Sequence, residues 1–162
     1  MRFLCLFFLL VATTSLASVL TEPKLDRQCD LDLKIKGPLL QEQQDAAAKD
    51  FAHIFLVEKD PKKAWDKYVP GEYIEHNPFG VSGRENAIAF LTGFIQTPGL
   101  TISNLTAYGG GGFGHFHFRE TLPGEFDRVV MDRLRFVGTC FVEHWDVAQD
   151  VTGEETNPLA WF

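Results

Sequence analysis

The chain has 162 residues, 45% of them hydrophobic and 13% aromatic, which suits one globular domain with a real core. It carries 15 basic and 22 acidic side chains, a formal charge of −7, with no basic stripe, and this argues against nucleic acid as a partner. No Gly-x-Ser-x-Gly nucleophile motif occurs. The glycine run Gly109–Gly112 lacks the Lys-Ser/Thr and the following helix that phosphate cradling needs, so it reads as a loop rather than a Rossmann or P-loop turn.

The first residues, Met1-Arg-Phe-Leu-Cys-Leu-Phe-Phe-Leu-Leu-Val-Ala12, form a basic start and an apolar run, and Ser15-Leu16-Ala17 matches a small-x-small cleavage site. This predicts a signal peptide over 1–17, an arm over 18–37 and a domain over 38–162 in a secreted or secretory-pathway protein. The apolar run is too short to span a bilayer comfortably and no later segment is apolar enough, so no membrane association is expected after cleavage. Loss of Arg2 leaves 14 basic against 22 acidic side chains, a net of 14 − 22 = −8. Cys5 would leave with the leader, while Cys29 and Cys140 remain in an oxidising route where a disulfide can persist. Their spacing alone does not place them together. Asn104-Leu-Thr106 is a glycosylation sequon in a predicted strand.

From Pro38 to about Glu58, Ala47, Phe51, Ile54 and Phe55 give the apolar stripe of a long amphipathic helix. Asp60-Pro61 supplies an N-cap and a first-turn proline for a short helix, Lys62–Tyr68, that buries Ala64, Trp65 and Tyr68. Tyr73-Ile-Glu-His-Asn-Pro78 then places His76 and Asn77 in an extended segment, because the residue before a proline is driven out of the helical region. Ser82-Gly-Arg-Glu85 reads as the capping box of a third helix running to about Gln96. After Pro98-Gly99 the pattern becomes β: Leu100–Tyr108, Phe113–Glu120, Phe126–Val137 and Cys140–Ala148. Helices followed by an antiparallel meander predict an α+β fold, helices laid on one face of a curved sheet.

Alternation along the third of these strands sets Phe126, Val130, Asp132, Leu134 and Phe136 on one side. A carboxylate on an apolar face is costly unless it is hydrogen-bonded or used, so Asp132 is the first candidate for chemistry. A two-residue Gly138-Thr139 loop would pair Val137 with Cys140 and set Asp132 opposite Trp145. That simple hairpin turns Glu143 inward and His144 outward; a one-residue bulge would swap them. His115 and His117 share a strand face. A tight Leu122-Pro123-Gly124-Glu125 turn puts His115 opposite Asp132, and a longer loop with Arg119 opposite Phe126 keeps the same parity. Both registers bring the two histidines to the Asp132 side. An Asp and a His in an apolar cavity can divide acid and base roles, or can simply satisfy one another as a structural pair. The His-x-His strand also has metal-ligand character, but no fourth ligand is fixed by the sequence and a metal-free pocket is expected.

Taken together, Tyr73-Ile-Glu-His-Asn-Pro78, Gly83-Arg-Glu85, His115-Phe-His117, Met131-Asp-Arg-Leu-Arg135 and Val142-Glu-His-Trp-Asp-Val147 resemble the SnoaL-like polyketide cyclases of the NTF2-like superfamily over about Asp45 to Ala148. The resemblance implies a cone-shaped α+β barrel with a deep apolar pocket, often a homodimer through the sheet. It also implies an Asp acting as acid/base in an intramolecular aldol closure with a His on the neighbouring strand, without metal or organic cofactor. By position those roles fall on Asp132 and His117. Where family members commonly carry an Asp-Gly turn, this chain has Gly138-Thr139.

The expected function is therefore a polyketide cyclase-like enzyme, free of cofactors, acting on a small apolar oxygenated molecule. Asp132 would move the proton, His117 and His115 would steady an oxyanion, and His76 and Asn77 would orient the substrate. Trp65, Phe94, Trp145 and Tyr73 would wall the pocket, with Glu143 or His144 added according to the register. Three other readings stay open: an epoxide or lactone hydrolase using the same pocket, a secreted binding protein without catalysis, and a metal enzyme built on His115 and His117.

Overall fold

The structure, a computed structural model, describes residues 29–157 and 159–162. The expected leader and most of the arm lie outside the described residues. No helix among the described residues is long and apolar enough to cross a membrane.

Three helices pack on a five-stranded sheet of order β1-β5-β4-β3-β2. Helix α1 spans Pro38–Ala52 and continues as a π-helical turn, His53–Val57, in which Ile54, Phe55 and Leu56 are all buried. Left-handed Lys59, at φ 58°, ends the run before α2, Pro61–Tyr68, whose N-cap Asp60 accepts from Lys63 N as its sequence predicts. Helix α3 covers Arg84–Ile95, but its N-cap is Gly83 and no side chain caps it. The expected capping box is not formed, because the Ser82 hydroxyl accepts from Glu75 N instead. Strands β2 (Thr101–Gly110), β3 (Phe113–Leu122), β4 (Phe126–Val137) and β5 (Cys140–Asp150) form the meander. The short strand β1, Ile74–Glu75, adds in parallel to β5, so the extended segment before Asn77-Pro78 becomes the sheet edge.

The core lies between α1, α2 and the concave sheet face. Phe51 is its centre, with ring centroids 4.9 Å from Trp65 and Phe141 and 5.8 Å from Phe116. Helix α1 is tied to the sheet by polar contacts as well. Gln44 Nε2 donates to Gly138 O at 2.8 Å, Gln41 Nε2 donates to Gly109 O, and Gly109 N donates to Asp45 Oδ1. Gly109 allows this approach, since a Cβ there would sit 2.6 Å from Asp45 N. Gly109→Ala is expected to lower stability by about 1–3 kcal/mol, because helix backbone must shift. The urea midpoint should fall at constant slope; an unchanged midpoint would show that α1 moves aside freely.

Cys29 and Cys140 form a disulfide, Cα atoms 5.1 Å apart, across a separation of 111 residues. Reciprocal bonds between Asp30 and Thr139 seat the end of the arm on the β4–β5 turn. Asn104 is exposed and left-handed (φ 53°) at a register break in β2, which places the sequon at an irregular position rather than in regular strand.

Candidate active site

Two local events decide what faces the cavity. Leu122-Pro123-Gly124-Glu125 closes as a β-turn, Glu125 N donating to Leu122 O, with Gly124 at φ 83° where a type II turn needs it. Leu122 then pairs with Phe126 across a three-residue loop, and Phe116 falls opposite Asp132. On the other side of β4, Val137 pairs with Cys140 as expected around Gly138, but the register shifts between Phe136↔Phe141 and Arg135↔Glu143. Val142 is the extra residue of that bulge, and it sets Asp132 opposite Asp146 and Leu134 opposite His144.

The result is a cavity of about 750 Å³ between α3 and the sheet. Its walls are apolar: Phe51, Phe55, Trp65, Phe94, Phe118 and Leu134 among them. Asp132, His144, Glu75, Asp146 and Asn77 form a polar array on one side. His144 Nδ1 lies 2.9 Å from Glu75 Oε1, and its Nε2 lies 3.5 Å from Asp132 Oδ1, an ion-pair contact longer than a good hydrogen bond. Strand β1 provides this arrangement by pairing Glu75 with His144 and by donating His76 N to His144 O. Asn77 donates to both oxygens of Asp146 at 2.8–2.9 Å, and its own N–H donates to Glu75 Oε1. Tyr73, 3% exposed, lies with its ring nearly parallel to the imidazole, and its hydroxyl has no hydrogen-bond partner among the described residues.

The electrostatics follow from burial and from the central imidazole. Burial pushes the Asp132 carboxyl up, and His144 offsets this only in part, so it stays above the ordinary carboxylate value. Burial alone would push His144 down, but contacts with Asp132 and Glu75 outweigh it and raise the imidazole to about 10. Glu75 is lowered: burial acts upward, and the His144 bond and charge overcome it. Burial, with Glu75 and the two aspartates adding to it, keeps the Tyr73 phenol protonated far above its usual value. The array is thus an imidazolium clamped between an ionised Glu75 and a less acidic Asp132. It can move a proton at Asp132 and supply a positive charge beside it.

Glu75, His144 and Asp146 each place one ligand atom within 4.8 Å of the others, the group among the described residues that could hold a metal ion. A cation there would have to displace the Nδ1 proton and the Asn77 amide.

No family model and no curated protein matches the chain. Solved structures do. A ketosteroid isomerase-like protein from Kribbella flavida DSM 17836 superposes with TM-score 0.56 at 16% identity, covering 73% of this chain and 84% of that one. An NTF2-like protein from Anabaena variabilis ATCC 29413 gives 0.54 at 16%, covering 72% and 95%. TsrD from Streptomyces laurentii gives 0.51 at 18%, covering 71% and 92%. The fold is NTF2-like.

Within this NTF2-like cone, Asp132, His144, Asn77, Tyr73, Trp65 and Phe94 converge on the cavity. His115 and His117 do not. They pair with Arg133 and Met131 on the convex face, where His115 stacks on Tyr108 and His117 on Phe162. The expected parity fails because the loop holds three residues, and a one-residue slip turns every side chain to the other face. His76, Glu143 and Trp145 are also outside the cavity: His76 Nε2 lies 2.8 Å from Glu143 Oε1 and its ring stacks on Trp145 at 4.6 Å. The His115/His117 pair therefore has no carboxylate from Asp132 to complete a metal site. Glu75, Asp146, Glu120 and Arg128 line the cavity without having been singled out from the sequence. Glu75 and Asp146 stood inside the Tyr73–Pro78 and Val142–Val147 segments; the bulge that turns His144 inward carries Asp146 with it, whereas Glu75 is placed by the pairing of β1 with β5.

Proposed function

We propose that this chain is an acid/base enzyme of the polyketide cyclase type, using no organic cofactor, that closes a ring in a small and largely apolar oxygenated molecule. The observation that carries this reading is the Asp132–His144–Glu75 array opening into an apolar cavity of about 750 Å³. Asp132 takes a proton from carbon alpha to a carbonyl, and the negative charge it held passes to the enolate oxygen. The His144 Nε2 proton, no longer paired with that carboxylate, turns to the oxyanion, and the unpartnered Tyr73 hydroxyl is a second donor. The enolate carbon then attacks a second carbonyl of the same molecule, and the new alkoxide recovers the proton from Asp132. Atoms balance as an isomerisation, and the role first given to His117 passes to His144.

In this reading the enzyme works in the secretory route, which the Cys29–Cys140 bridge supports, and pairs as a homodimer through its convex face, where Tyr108, Met131 and Val147 are exposed. The test is incubation of the purified mature protein with a panel of aryl di- and triketones, followed by mass and NMR analysis of products. A cyclic product of unchanged mass, or of mass lowered by one water after aldol dehydration, is expected. A product heavier by one water would replace ring closure by hydrolysis, and binding without turnover across the panel would favour a carrier.

A further inference from the structure

Arg128 is a partly exposed cation in the cavity lining, four residues before Asp132 on the same strand and hence on the same inward face. Its Nε donates to Glu120 Oε2 at 2.9 Å, across the β3–β4 pair. The guanidinium lies on the Phe126 ring, 3.8 Å from the centroid, with Phe94 at 5.9 Å. Glu120 and Phe126 thus fix the plane of the group. Its two terminal nitrogens make no hydrogen bond among the described residues.

We propose that the free edge of Arg128 is an anion-binding subsite that takes a carboxylate, or an equivalent anionic oxygen group, at the end of the substrate remote from the reacting carbon. An oriented guanidinium offers two parallel N–H donors, the geometry that matches a carboxylate. Phe94, which lines the cavity beside it, offers an aromatic face that suits a flat, conjugated body. Charge at the other end of the cavity enforces the direction of binding. Glu75, Asp132 and Asp146 outnumber the single His144 cation at that end, whereas Arg128 is met by Glu120 alone, so the acid end lies at Arg128 and the carbonyl end at Asp132. The two residues are four apart on a strand, about 13 Å between Cα atoms, a span that admits a bicyclic or tricyclic acid. The direction of the reacting end rests on the acid/base reading above, whereas the anion site stands on Arg128 alone.

Two fluorescent probes with one ring system separate charge recognition from simple burial: 1-anilinonaphthalene-8-sulfonate and the uncharged N-phenyl-1-naphthylamine. In the full mature protein, Arg128→Gln is expected to weaken the sulfonate about tenfold and leave the neutral probe unchanged, a loss on the scale of one charge-assisted bond. An unchanged sulfonate affinity would overturn the proposal. So would an equal loss for both probes, since Arg128 would then shape the cavity without reading charge. On the unaltered protein, 1-naphthoate should displace the bound neutral probe at concentrations where 1-naphthalenemethanol does not; equal displacement would also overturn it. Neither readout needs turnover, so the anion site and the acid/base reading fail separately.

Discussion

Asp132→Asn is expected to lower turnover of the identified substrate by roughly 10²–10⁴-fold, the range for loss of a positioned general acid/base. Its stability should change little, the relief of a buried carboxylate offsetting the lost contact with the His144 imidazolium, and this separates a working carboxylate from a structural one. Burial holds the Asp132 carboxyl above its ordinary value, so the ionised form is less comfortable in the folded protein than in the unfolded chain. Asparagine keeps the shape and removes that strain. The pH profile gives a second readout. Activity should rise as Asp132 ionises, on a limb displaced above its ordinary 3.8, and fall again as His144 loses its proton near about 10. Asp132→Asn should remove the acid limb. A variant that loses stability in step with activity, or keeps full turnover, would return Asp132 to the role of a buried structural partner.

The second large effect is on folding. His144→Gln should destabilise the protein by about 3–5 kcal/mol, because it leaves Glu75 and Asp132 facing each other without the cation between them. The sign with pH is definite. His144 is raised in the folded state from an ordinary 6.5 to about 10, so its contribution is complete below about 6.5 and is lost as pH rises through about 10. Asp132 is also raised when folded, so its contribution is complete below its ordinary 3.8 and is lost as pH rises through its folded value. Glu75 is lowered, so its contribution is present above its ordinary 4.5 and fades as pH falls through its folded value. Urea unfolding between pH 6 and 10 should therefore show a steady decline for the wild-type chain and a flatter line for His144→Gln. Parallel lines would mean that the imidazole is not the charged centre of the array.

Much of the architecture was legible in local patterns. Asp60 caps α2, the meander breaks where Gly111, Gly124 and Gly138 take positive φ, and the inward run of β4 is the alternation read directly from Phe126 to Phe136. Asp132 stood out because a charge on an apolar stripe is conspicuous in any register. Trp65, Phe94, Tyr73 and Asn77 were also reachable, the first two because large rings on the apolar stripe of a helix turn inward and the last two because they belong to the segment that Pro78 holds extended.

Local pattern thus settles which residues share a strand face and the order of helices and main strands, since period and turn chemistry are local properties, whereas the ends of α1 and β2 and the strand β1 depend on packing. Which faces meet across strands was decided only by the tertiary structure. A three-residue loop after Leu122 sent His115 and His117 to the convex side, and the extra Val142 brought His144 and Asp146 in beside Asp132. The pairing of Glu75 with His144 needed β1 to join the edge of β5 across nearly seventy residues. Strand side chains have a period of two, so a single residue gained or lost in a turn exchanges one complete set of side chains for the other, and the energy that selects between them is long-range burial.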